Sequence, residues 1–110
     1  MKDKIIGIVE EILEKKESIK FAYIFGSFVR EKKYSDIDIG VYLSTLHESV
    51  FEITSELKHK LSIKLVEINI HVKADDVDIV VLNSIPFTFL NRIFKEGTLI
   101  LDRDLEFRTS

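Results

Sequence analysis

Asp36 and Asp38 stand one residue apart in the run Asp36-Ile37-Asp38-Ile39-Gly40-Val41. A strand alternates its side chains between two faces, so a strand here sets both carboxylates on one side and Ile37 and Ile39 on the other. Carboxylates placed this way repel unless a cation sits between them. A hard cation such as Mg²⁺ takes oxygen ligands in near-octahedral geometry and leaves positions open for substrate phosphates. Upstream, Gly26-Ser27 ends the apolar run Phe21-Ala22-Tyr23-Ile24-Phe25. A glycine lets the backbone approach a ligand closely and a serine adds a hydroxyl, which together suit a phosphate.

A third acid stands out in Val77-Asp78-Ile79-Val80-Val81-Leu82. A lone carboxylate in such a run is costly to bury unless it is paired or metal-bound. Asp78 is therefore the natural third ligand, the other reading being a strand-end aspartate exposed on an edge, with Asp75 and Asp76 in the adjoining turn as alternates. Arg30, one turn beyond Ser27, could reach a phosphate or pair with Glu31 or Asp36. His47, His59 and His71 lie twelve residues apart, which is not a zinc-ligand spacing. Ser27 has no evident base, so no serine–histidine–acid arrangement is readable.

The elements that must position these groups can be read from periodicity. Ile5, Ile6, Val9, Ile12 and Leu13 share one face of an amphipathic helix over about 3–17, which should lie against a sheet. Phe21 to Phe25 reads as a buried strand. Residues 27–31 read as a helical turn, and Asp36 to Leu43 as a second strand. Antiparallel pairing of the two strands would bring Gly26-Ser27 beside Asp36 and Asp38. Ser44 or Thr45 can cap the next helix, Thr45 and Glu48 having capping-box spacing. Its apolar positions are Leu46, Val50, Ile53, Leu57 and Leu61. From Val66 to Val72 the pattern fits a strand by alternation and a helix by three- and four-residue steps. Residues 77–82 form the third strand. Asn83, Ser84 and Pro86 start a helix whose buried face is read as Phe87, Leu90, Ile93 and Phe94, with Gly97 as its C-terminal cap. Thr98 to Leu101 is a fourth short strand.

Taken together, Phe25-Gly26-Ser27, a short spacer and Asp36-Ile37-Asp38-Ile39 resemble the signature of the nucleotidyltransferase superfamily that includes DNA polymerase beta. The small size resembles its minimal nucleotidyltransferase branch, the antitoxin partners of HEPN-type toxins. The eight-residue spacer from Ser27 to Asp36 is shorter than is usual in that branch. The resemblance implies an α/β (α+β) nucleotidyltransferase fold, a small mixed sheet of about four strands with helices mainly on one face. It also implies that the helix of Ile53 and Leu57 continues to about Val72. As the resemblance has it, Asp36 and Asp38 hold two Mg²⁺ ions, Asp78 shares the catalytic one and helps deprotonate the acceptor, and Gly26 and Ser27 hold the β- and γ-phosphates of ATP. The implied reaction is transfer of AMP to a protein acceptor, a HEPN-type RNase toxin with which the chain forms a hetero-oligomer. Two alternatives stand beside it: an antitoxin that blocks the toxin sterically without catalysis, and a nucleotidyltransferase for a small hydroxylated substrate such as an aminoglycoside.

Composition narrows the remaining classes. At 110 residues, with 45% apolar and 32% charged residues, the chain reads as a single domain spanning 1–110 with enough apolar side chains for a core. A net charge of −3 argues against a general nucleic-acid-binding surface, and Lys32-Lys33 reads as a solvated loop. The absence of cysteine excludes disulfides and thiolate metal sites. No apolar run has membrane-spanning length and no signal peptide is readable, so the expected location is the cytoplasm, with no membrane partner.

Overall fold

The computed structural model describes residues 2–34, 36–45, 49–70 and 76–103. In chain order these form α1 (Lys2–Glu14), β1 (Ile19–Phe25), the one-turn α2 (Ser27–Arg30), β2 (Ile37–Leu43), α3 (Val50–Glu67), β3 (Val77–Val81), a 3-10 turn (Leu82–Ser84), α4 (Phe87–Glu96) and β4 (Thr98–Asp102). The sheet order is β3-β2-β1-β4. β1 runs antiparallel to β2 and β4, while β2 and β3 are parallel. A parallel pair needs a long crossover, and α3 supplies it.

Strand alternation divides the core in two. Ala22 and Ile24 of β1, Ile37, Ile39 and Val41 of β2, and Val77 and Ile79 of β3 face α1 and α3. Those helices answer with residues at four-residue steps: Ile5, Val9 and Leu13 from α1, and Ile53, Leu57, Leu61 and Leu65 from α3. The opposite sheet face carries Phe21 and Tyr23 under Ile93 and Leu90 of α4. It is the thinner layer, and it bears Asp38 and Asp78. The helices thus lie mainly on one face, as expected.

Several boundaries depart from those read by periodicity. α1 stops at Glu14 rather than near residue 17, because the chain must turn into β1, with the Ile19 N–H donating to the Lys16 carbonyl at 3.1 Å. The Arg103 guanidinium donates to the carbonyls of Leu13, Glu14 and Lys16, so the end of the described chain caps the first helix. α3 begins at Val50 with Ser49 as its N-cap, not at Ser44 or Thr45. The Ser44 N–H is instead held by the Ser18 carbonyl at 2.7 Å, extending the β1–β2 pairing. Leu46, His47 and Glu48 lie outside the described residues.

α3 ends at Glu67, short of Val72. Asn69 takes a left-handed φ of 65°. The Ile70 N–H donates to Leu65 O at 2.9 Å and the Asn69 N–H to Val66 O at 3.0 Å. This is a Schellman stop, closed by the contact class in which a buried residue after the turn, here Ile70, meets one in the last helical turn, here Leu65. Residues 71–75 lie outside the described set. Gly97 does follow α4, but with extended backbone rather than a left-handed turn. A Cβ there would lie 2.6 Å from Ile93 O and 3.0 Å from Ile24 O, so close packing of α4 on β1 is what calls for glycine. No helix among the described residues is long and apolar enough to cross a membrane.

Candidate active site

The β1–β2 register pairs Phe25 with Asp38, which brings Gly26 to the aspartate. Gly26 has φ 78°, a conformation open to glycine and costly for a residue with a Cβ. A Cβ at this position would lie 2.3 Å from Asp38 Oδ2. Both the turn and the space beside the carboxylate therefore require a bare backbone. Phe28, fully buried in the main core, anchors α2 directly after it. The Phe28 ring meets Tyr34 edge-on, with centroids 4.6 Å apart. Ser27 Oγ lies 3.5 Å from the Asp36 carbonyl oxygen, a long contact that sets the hydroxyl alongside the start of β2.

The parallel register pairs Asp38 directly with Asp78, and paired residues on neighbouring strands share a sheet face. Asp36 lies two residues before Asp38 and is exposed. Burial pushes the Asp38 carboxyl above the ordinary aspartate range; repulsion from Asp78 and then from Asp36 adds to this, and Arg30 opposes it. Asp38 is thus near enough to feel the charge of both Asp36 and Asp78.

Asp78 differs from its expectation in one respect. It is exposed, on a strand at the sheet edge, so no burial penalty forces it to find a partner. Its claim to the site comes from register instead. Of the alternates, Asp76 sits just before β3 and Asp75 lies outside the described residues. Among the described residues no three acidic, histidine or cysteine side chains form a ready ion-binding group. What the fold supplies is proximity and like charge.

A wall that periodicity did not reveal completes the cleft. A cavity of about 190 Å³ opens between Gly26, Arg30 and Asp38 on one side and Phe89, Arg92 and Glu96 of α4 on the other. Phe89 meets Phe25 edge-on at 6.0 Å. α4 was expected to bury Phe87 and Phe94. Instead Phe87 is 78% exposed and Phe94 is 41% exposed, Phe94 lying against Tyr23 at 5.2 Å. Ile93 alone on this helix is buried, because only one stripe of a single helix can touch the sheet. His59 is an exposed residue of α3; His47 and His71 fall outside the described residues.

Comparison with known proteins agrees with this architecture. Comparison with curated sequences finds no match. Among solved structures, the chain is similar to one of a tri-AMPylated HEPN toxin in complex with MNT antitoxin from Shewanella oneidensis. That match has a TM-score of 0.69 and 23% identity and covers 99% of this chain and 79% of that one. A toxin–antitoxin MntA–HepT structure matches with TM-score 0.65 and 22% identity over 94% of this chain and 75% of that one. A toxin–antitoxin structure with AMP-PNP matches with TM-score 0.60 and 25% identity over 84% and 73%. The family model described as polymerase beta, nucleotidyltransferase matches residues 8–106. With the Gly26-Ser27 turn, the paired aspartates and this match over nearly its whole length, the chain belongs to the polymerase beta nucleotidyltransferase family.

Proposed function

We propose that the protein is an Mg²⁺-dependent adenylyltransferase that uses ATP to transfer AMP to a protein acceptor, a HEPN-type toxin, and so acts as its antitoxin. The observation that carries this reading is the meeting of Gly26, at the end of β1, with Asp38, at the start of β2, with Asp78 in register beside them. Similarity to toxin–antitoxin complexes, one with an AMPylated toxin and one with AMP-PNP, supports the acceptor and the donor.

The donor set suits Mg²⁺, being all carboxylate oxygen, and a carboxyl raised by its acidic neighbours is one that a cation would relieve. Asp36 and Asp38 would hold two ions and Asp78 would share one of them. When bound, the ions neutralise charge developing on the phosphates and on the departing pyrophosphate. The chain's own groups do the rest. The Gly26 backbone and the Ser27 hydroxyl hold the β- and γ-phosphates. Asp78, exposed at the sheet edge, accepts the proton of the acceptor hydroxyl. The acceptor oxygen bonds to the α-phosphorus as the α–β phosphoanhydride bond breaks in line, and pyrophosphate leaves. Positioning and charge account for most of the rate.

The test is incubation of the protein with a HEPN-type toxin, ATP and Mg²⁺, followed by intact mass. The acceptor should gain AMP units only when all components are present. Complex formation and toxin silencing with no added mass would instead support a steric antitoxin.

A further inference from the structure

The α4 wall of the cleft carries a cation that neither the Gly26-Ser27 turn nor the aspartates account for. Arg92 faces the same cavity as Gly26, Arg30 and Asp38. Its position is set by its neighbours on the helix. Ile93 is only 2% exposed and anchors that turn to the sheet. Phe89, one turn earlier, packs edge-on against Phe25, the residue before Gly26. The backbone of Arg92 is thereby fixed relative to the Gly26 turn. Its guanidinium is steadied by Glu96 one turn on, through an Nε–Oε2 contact of 3.8 Å, with both side chains more than half exposed. An exposed pair of that length contributes little by itself. It leaves a guanidinium held by its Nε edge, and the planar fork has further donors to offer a ligand.

From this geometry we propose that Arg92 contacts the polyphosphate of the bound nucleotide from the α4 side of the cleft. The inference rests on the nucleotidyltransferase reading above. A cleft beside three carboxylates is a poor place for a polyanion unless cations line it, and guanidinium matches phosphate bidentately where ammonium does not. The ligand chemistry is an unesterified or anhydride-linked phosphate beyond the α position. ATP and the pyrophosphate product both carry it, and AMP does not.

The experiment measures binding of ATP, pyrophosphate and AMP, each with Mg²⁺, to the full chain by competition against a fluorescent ATP analogue. It compares wild type with Arg92→Ala and Arg92→Lys, with thermal melts to confirm folding. Arg92→Ala should weaken ATP and pyrophosphate roughly tenfold or more, the value of a charge-assisted contact. AMP affinity should stay within about twofold, because AMP lacks the phosphates in question. Arg92→Lys should restore part of the loss. Unchanged ATP affinity in a folded Arg92→Ala, or equal losses for ATP and AMP, would overturn the assignment while leaving the family's chemistry standing. If wild type binds neither ATP nor pyrophosphate, the nucleotidyltransferase reading itself fails and this one with it.

Discussion

Asp38 carries an electrostatic cost that strand pairing imposes, since it stands in register with a second acid. It is half-buried beside two other acids. Because its folded pKa is raised, the unfolded chain gives up this proton at lower pH than the folded one. Stability contributed by the group is therefore full below the ordinary aspartate pKa and falls as pH rises through the raised value. With chelator present, Asp38→Asn should melt higher than wild type at pH 7. The gain should vanish as pH is lowered through the carboxylate range. The same variant should lose at least about a hundredfold in transfer rate, as expected when a charge-stabilising contact is removed. A mutant that melts lower than wild type at neutral pH would mark Asp38 as structural. Gly26 is the complementary case: Gly26→Ala forces a Cβ into the Asp38 carboxylate at a strained φ, and should cost about 1–3 kcal/mol in denaturant unfolding. The strand carrying Asp38 was legible in sequence, but it starts at Ile37, so Asp36 stands just before it rather than on it. The burial argument for Asp78 does not hold, since the acid is exposed at the sheet edge; the parallel register, a long-range fact, is what puts it beside Asp38. Arg92 and Glu96 carried no local signal, since nothing in α4 says which side of the helix overlooks the cleft.

Among the elements, the buried stripes of α1 and α3 were read well and their ends were not, while the buried face of α4 was not. The four-residue steps of Ile53, Leu57, Leu61 and Leu65 mark α3 plainly. Its stop depends on Asn69 entering a left-handed conformation, which competes with the apolar pattern continuing through Ile68 and Val72. Asn69→Gly should therefore be neutral or stabilising, whereas Asn69→Val should lower stability by about 1–2 kcal/mol. Equal melting of the two variants would contradict the left-handed stop. The end of β2 is held by another device that sequence does not reveal. The Asn83 side-chain amide accepts from the Leu43 N–H at 2.9 Å and donates to the Leu43 carbonyl at 2.8 Å, serving as a surrogate strand beside the last residue of β2. Asn83→Ala leaves both backbone groups without this partner and should cost about 1–3 kcal/mol. Hydrogen exchange at the Leu43 amide should accelerate in the same variant; unchanged protection would show that the pairing does not hold that end of the sheet.

At the scale of the whole molecule, the two faces of the sheet divide the work. α1 and α3 cover one face with aliphatic residues at close to full burial, while the other, under α4 alone, is left open enough for a cleft. The mixed four-stranded sheet was legible from its apolar runs together with the Gly-Ser and Asp-x-Asp motif. The placement of α4 as the far wall required the fold itself. Large apolar side chains remain exposed on α4 and at the start of α3, Phe87 at 78% and Phe51 at 76%. The most direct test uses the chain, a HEPN-type protein, ATP and Mg²⁺, with wild type set against Asp36→Asn combined with Asp38→Asn. Intact mass should show AMP added to the acceptor by wild type and none by the double variant, although both form the complex on a sizing column. Equal AMP addition by the double variant, or toxin silencing by it with no added mass, would contradict the claim that these aspartates carry nucleotidyl transfer.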